Sequence, residues 1–182
     1  FAGEQNTVPG TAEQPFVVTD GLFDQTKTES DLGLSKIEGA ETVTVFTATD
    51  DTDHYCNGVV MTEFKGKLYT QWQSSAKDED AEDTWVAYSV SDDNGATWSE
   101  PKVLVPTIDN GYCSSGGWFV SGDTLVSYIN VWYSDTTPRG GFAYYVESTD
   151  GEHWSEMKPV LMKDGTPMDC LLYTSDAADD LI

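Results

Sequence analysis

The chain has 182 residues, 38% hydrophobic and 12% aromatic, a composition that fits a globular domain and excludes a disordered one. Its 32 acidic residues against nine basic ones give a formal net charge of −23, so nucleic-acid phosphates and acidic membranes are repelled as partners. No run of 18 apolar residues is present, so no membrane span is expected, and the three cysteines, Cys56, Cys113 and Cys170, match no zinc spacing and are an odd number for a disulfide framework.

The chain opens at Phe1 with no recognisable signal peptide and reads as a piece of a longer coding sequence. Residues 1–41, rich in Gly, Pro, Thr and Glu near the start, read as a linker or edge segment. Residues 42–49, Thr-Val-Thr-Val-Phe-Thr-Ala-Thr, alternate like a strand. From there four short strands are predicted at about 57–63, 67–73, 84–90 and 102–105. Four more follow at about 116–120, 124–131, 142–147 and 159–162. Lys65-Gly66-Lys67 and Ser121-Gly122-Asp123 are hairpin turns between the first and second strand of each set. No stretch shows helical periodicity over three turns.

The two sets are copies. Ser91 to Ser148, Tyr88 to Tyr145, Leu68 to Leu125, Cys56 to Cys113 and Val103 to Val160 are each 57 positions apart. Trp98 to Trp154 is 56, so the second copy has lost one residue in its turn. Four antiparallel strands repeated in tandem describe the blades of a β-propeller, here at about 56–105 and 113–162. Residues 42–49 then read as the outer strand of a preceding blade or as a closing strand. The fold class is all-β, with residues 42–169 forming part of a propeller. The final segment, from Cys170-Leu-Leu-Tyr-Thr-Ser-Asp-Ala-Ala-Asp179 onward, resembles translated sequencing-adapter read-through. Residues 170–182 are set aside on that ground as a non-native tail, which points to a metagenomic or transcriptomic source.

Ser91-Asp-Asp-Asn-Gly-Ala-Thr-Trp98 fits the Asp-box pattern Ser-x-Asp-x-Gly-x-Thr-Trp, and Ser148-Thr-Asp-Gly-Glu-His-Trp154 looks like a shortened version. The chain therefore resembles the sialidase superfamily, whose propellers carry these boxes as BNR repeats. The resemblance covers about residues 50–169. In each box the Asp accepts hydrogen bonds from turn amides, the Gly supplies a positive φ, and the Trp covers an apolar seam. Ser91, Asp93, Gly95, Thr97 and Trp98, and Ser148, Asp150, Gly151 and Trp154, are accordingly structural.

Propeller geometry puts the boxes at one end of the blades, and the loops 50–57, 74–83, 107–115 and 132–141 at the other. A ligand is expected at that second end. His54 and Tyr55 enter the innermost strand and, with Asp53 beside them, are the candidates for catalysis, His54 or Tyr55 supplying proton transfer. Arg139, the only arginine, can hold a substrate carboxylate in a bidentate pair. Asn110, Tyr112, Trp118 and Tyr133 are the remaining candidates for binding sugar. No cofactor or metal-ligand set is expected, with calcium at the acidic loop 78–83 the one metal considered. The resemblance implies a secreted or periplasmic protein with a carbohydrate or glycan substrate. Glycoside hydrolysis leads, although the three arginines of a sialidase are not present. A polysaccharide lyase acting on uronate polymers and a non-catalytic glycan- or protein-binding propeller are the alternatives.

Overall fold

The computed structural model describes residues 24, 26–27, 38–49, 51–135 and 141–169. The chain forms two compact units, Phe1–Thr42 and Val43–Ile182. In the first, the Asp24 carboxylate accepts from the Thr26 amide at 3.0 Å and from its hydroxyl at 2.6 Å, a turn that a short acidic side chain closes on its own backbone. Most of the rest of 1–41, and all of 170–182, lie outside the described residues.

The second unit is built of strands. The first sheet holds β1 (Tyr55–Phe64), β2 (Lys67–Ser75), β3 (Trp85–Ser91) and β4 (Lys102–Val105); the second holds β5 (Gly111–Ser121), β6 (Thr124–Tyr133), β7 (Gly141–Ser148) and β8 (Lys158–Pro159). Each sheet pairs its strands in chain order and antiparallel. Two such meanders face to face are adjacent propeller blades. Turn chemistry sets the register: Lys65 and Gly66 both take positive φ, 50° and 75°, as a two-residue turn matched to strand twist requires.

Strand alternation decides which face is buried. Leu125, Ser127, Ile129 and Val131 of β6, all fully buried, face the first sheet. Burial of each of the three apolar side chains contributes about 2 kcal/mol. From the first sheet, Tyr69 of β2 meets the Trp118 ring edge-on at 6.2 Å. Tyr88 of β3 meets Trp154 at 5.6 Å. A polar bridge runs through this seam. The fully buried Gln71 donates to the Gly117 carbonyl at 2.9 Å and accepts from the Ser127 hydroxyl at 2.9 Å. Ser115 Oγ donates to the Gly58 carbonyl at 2.5 Å, and the Trp118 indole to the Val60 carbonyl at 3.2 Å. These carbonyls sit at irregularities in the ladders, between Asn57 and Val60 in β1 and between Ser115 and Gly117 in β5.

Three elements depart from the sequence expectation. Residues 43–49 are not a strand. A strand needs a ladder partner, and this segment has none among the described residues. It lies on the free face of the first sheet, where Phe46 stacks on Trp72 at 6.1 Å. β5 begins at Gly111 rather than near 116 because Gly111 to Ser115 continue the pairing with β6. The strand expected at 159–162 is reduced to Lys158–Pro159, with Leu161 bridging Pro167 alone.

Both box turns are closed by their own side chains. Asp93 accepts from the Thr97 amide at 2.8 Å, the Thr97 hydroxyl at 2.6 Å and the Ser91 hydroxyl at 2.8 Å. Asp150 accepts from the Glu152 and His153 amides and, through Oδ2, contacts His153 Nδ1 at 2.8 Å. His153 thus stands where Thr97 stands in the first box. The Thr97 hydroxyl and amide, with Ser91, pull Asp93 down to about 2, and the turn amides hold Asp150 below the usual carboxylate range. Asp150 in turn raises His153. The folded pKa of Asp93 is depressed, so its contribution to stability is full above about 3.8 and disappears as pH falls toward about 2. His153 is raised, so its contribution is full below its ordinary 6.5 and disappears as pH rises through its folded value. Proton NMR should find His153 titrating above 6.5, and Asp150→Asn should return it toward that value. An unshifted His153 would contradict the contact.

Candidate functional site

The end of the blades opposite the boxes is shaped by the strand termini. Gln73 and Ser75, at the end of β2, are buried and pin the acidic loop that follows. Gln73 Nε2 donates to the Glu79 carbonyl at 2.6 Å, and Ser75 Oγ to the Asp78 carbonyl at 2.5 Å. The Ala76 amide donates to Asp83 at 3.1 Å. Loop 78–83 is therefore a built turn, and it brings the Glu79 carboxylate back over β1. Asn57 Nδ2 reaches Glu79 Oε1 at 3.5 Å, and the Tyr55 phenol lies beside both side chains. Burial raises Tyr55 above its ordinary 10.0, and the charge of Glu79 raises it further, while Asn57 opposes them.

The three residues predicted for chemistry do not converge. Tyr55 pairs with Ser75 and shares its face, toward the second sheet. Asp53 lies toward the other face, where its Oδ2 accepts from Ser74 Oγ at 2.8 Å and the Trp85 indole at 2.5 Å. Those bonds anchor the entry to β1. His54 lines an apolar cavity of about 390 Å³ with Phe46, Cys56, Val59 and Trp72, on the face covered by 43–49. Arg139 lies outside the described residues.

The predicted binding residues divide in the same way. Tyr112 is buried and stacks on Trp132, its register partner across β5 and β6, at 5.3 Å and 16°, so its ring is a packing partner within the blade and not an open face for a sugar. Asn110 takes a positive φ of 59°, and its carbonyl accepts from the Ser134 amide at 2.7 Å, tying two loops together. The Tyr133 hydroxyl meets Tyr144 at 3.1 Å; burial, and then Tyr144, push it up to about 12. Trp118 belongs to the seam between the sheets, with Tyr69 on one side and Trp154 at 5.8 Å on the other. Among the described residues no three His, Cys, Asp or Glu side chains are gathered as a metal would need. No helix there is long and apolar enough to cross a membrane.

Sequence reasoning missed Glu79. It sits among five acids in seven positions, 77–83, with nothing local to single it out. The signal was in Gln73 and Ser75, polar side chains at the end of a strand where the loop had to be held.

The family model described as a BNR repeat-like domain matches residues 66–176. Among solved structures, the chain is similar to a protein of unknown function from Dyadobacter fermentans DSM 18053, at 12% identity and a TM-score of 0.52 over 70% of this chain and 42% of that one. It is also similar to Penicillium chrysogenum alpha-L-arabinanase complexed with arabinobiose, at 15% identity and a TM-score of 0.45 over 64% of this chain and 34% of that one. A sialidase aligns at 15% identity and a TM-score of 0.42 over 68% of this chain and 14% of that one. The chain spans less than half the length of each of these structures. No curated protein matches it.

Proposed function

The chain belongs to the BNR repeat-like domain family, and from that membership we propose that it is part of a carbohydrate-active propeller that hydrolyses glycosidic bonds at the end of its blades bearing Tyr55 and Glu79. The observation that carries this reading is the Tyr55 phenol beside the Glu79 carboxylate on an innermost strand. A tyrosine is a weak nucleophile while protonated, and Tyr55 is held protonated at neutral pH. A neighbouring carboxylate that takes the proton during attack removes that obstacle. In the proposed step the Tyr55 oxygen bonds to the anomeric carbon and its proton passes to Glu79. The bond to the leaving sugar oxygen breaks, and that oxygen takes a proton from solvent. Water then releases the glycosyl group and restores both residues. The charge and the fold suit a secreted or periplasmic protein acting on glycans.

The test is a panel of 4-methylumbelliferyl glycosides, a sialoside included, with the purified protein. Release of the fluorophore from one of them is the expected result. New double-bond absorbance from a uronate polymer would replace hydrolysis by elimination. Retention on a glycan array with no turnover of either kind would leave a binding protein and overturn the proposed step.

A further inference from the structure

The end of the blades that carries Tyr55 has a charge bias that the proposed step does not use. The four sequence segments assigned to that end, 50–57, 74–83, 107–115 and 132–141, hold ten Asp and Glu in 37 positions, with Lys77 and Arg139 their only Lys or Arg. They carry a formal −8, about a third of the chain's −23 in a fifth of its length.

Not all of these charges reach the Tyr55 face. Asp53 lies toward the other face, bonded to Ser74 and Trp85, and Asp83 is engaged by the Ala76 amide. Asp78 and Glu79 are held close to it. Ser75, the register partner of Tyr55, bonds the Asp78 carbonyl, and Gln73, the register partner of Asn57, bonds that of Glu79. The strand itself therefore fixes both acids beside Tyr55 and Asn57. Their charge is not neutralised. Among the described residues neither makes an ion pair, and Lys77, exposed in the same loop, pairs with neither. The groups beside the Glu79 carboxylate, the Asn57 amide at 3.5 Å and the Tyr55 phenol, are both neutral. Glu79 first and Asp78 after it raise the Tyr55 phenol, so the field at this face is negative. A cation brought to the Tyr55 oxygen gains from that field and an anion loses. Charges of one sign thus discriminate by repulsion as well as by attraction.

We propose that the Tyr55–Glu79 end selects glycans built of amino sugars with free ammonium groups, and rejects uronate and sialic-acid residues. The proposal rests on the reading of this end as the glycan site, and not on the hydrolytic step. It runs against the carboxylate pairing expected of Arg139, one of two bases among ten acids.

Glucosamine, glucose and glucuronic acid present one ring configuration in cationic, neutral and anionic form. Each is titrated into the intact protein at low salt and about pH 6, where the amine is protonated and the acid ionised. Binding is followed by the ¹⁵N amide shifts of Tyr55, Asn57 and Glu79. Affinity is expected to fall in the order glucosamine, glucose, glucuronic acid, at least tenfold from first to last, and the spread should shrink as salt rises. Asp78→Lys, and the milder Asp78→Asn, leave Tyr55, Asn57 and Glu79 in place. Each should narrow the spread, Asp78→Lys at least threefold, with glucose affinity unchanged and circular dichroism confirming the fold. Equal affinities, a preference for glucuronic acid, no saturable shift with any of the three, or an unchanged spread in a folded Asp78 variant would overturn the proposal. The two readings fail separately. The expected order without turnover of any glycoside would keep the selectivity and remove the hydrolytic step; turnover without the order would do the reverse.

Discussion

Tyr55→Phe and Glu79→Gln are each expected to lower glycoside turnover about 10³-fold or more, with glycan binding largely kept. The phenylalanine retains the ring and removes the oxygen that would form the covalent intermediate. The glutamine retains the shape and removes the proton acceptor. A change confined to kcat, with KM nearly constant, separates this role from a structural one. Because burial and the charge of Glu79 hold Tyr55 above 10.0, ionisation of the tyrosine should add no rising limb to the rate between pH 6 and 9. Turnover retained in Tyr55→Phe would remove the nucleophile from the proposed mechanism. Turnover retained only in Glu79→Gln would move the proton to another acceptor.

Gly151→Ala is expected to cost about 3 kcal/mol of stability or more. Gly151 has a φ of 75° and faces the Tyr69 ring so closely that an added methyl would meet Cζ at 2.6 Å. The backbone penalty for an L-residue there is roughly 1–2 kcal/mol, and forcing a group into a packed seam adds about 1–3 kcal/mol. Tyr69 cannot simply turn aside, since it is buried between Phe64 and Trp118 at 6.1 and 6.2 Å. Urea denaturation measures the loss. Tyr69→Phe in the same chain should recover only part of it, because the ring carbon still collides after the hydroxyl is gone. A neutral Gly151→Ala would mean that the second box turn does not press on the first blade as described.

The blades were legible because their signals are local and repeated. Alternation in Leu68–Trp72 and Thr84–Val90, the glycine turns at Gly66 and Gly122, and the spacing of the two boxes each point to the same strands. Residues 42–49 misled for the same reason. Their alternation is as clean as that of β3, but alternation reports a side-chain pattern and not the presence of a neighbour. The ends of the blades were harder to read. Asp53, His54 and Tyr55 are consecutive in sequence, and passage into an extended strand sends them to different faces. Glu79 reaches Tyr55 only because Gln73 and Ser75 bend a loop back across β1, a contact between residues 24 apart that no local pattern encodes. Trp118, expected near the start of its strand as a sugar-binding aromatic, lies instead in the seam between Tyr69 and Trp154, a contact across the blades that no local pattern encodes.

The irregular ladders of β1 and β5 bear on how the chain behaves when crowded. An innermost strand with a straight row of free amides and carbonyls is a template on which another molecule's backbone can add, and so a seed for cross-β growth. In β1 the Gly58 and Val60 carbonyls are turned aside and taken up by Ser115 and Trp118, and in β5 the Gly117 carbonyl is taken by Gln71. The bonds that lock one blade to the next therefore also blunt the edges at which fibrils would otherwise begin.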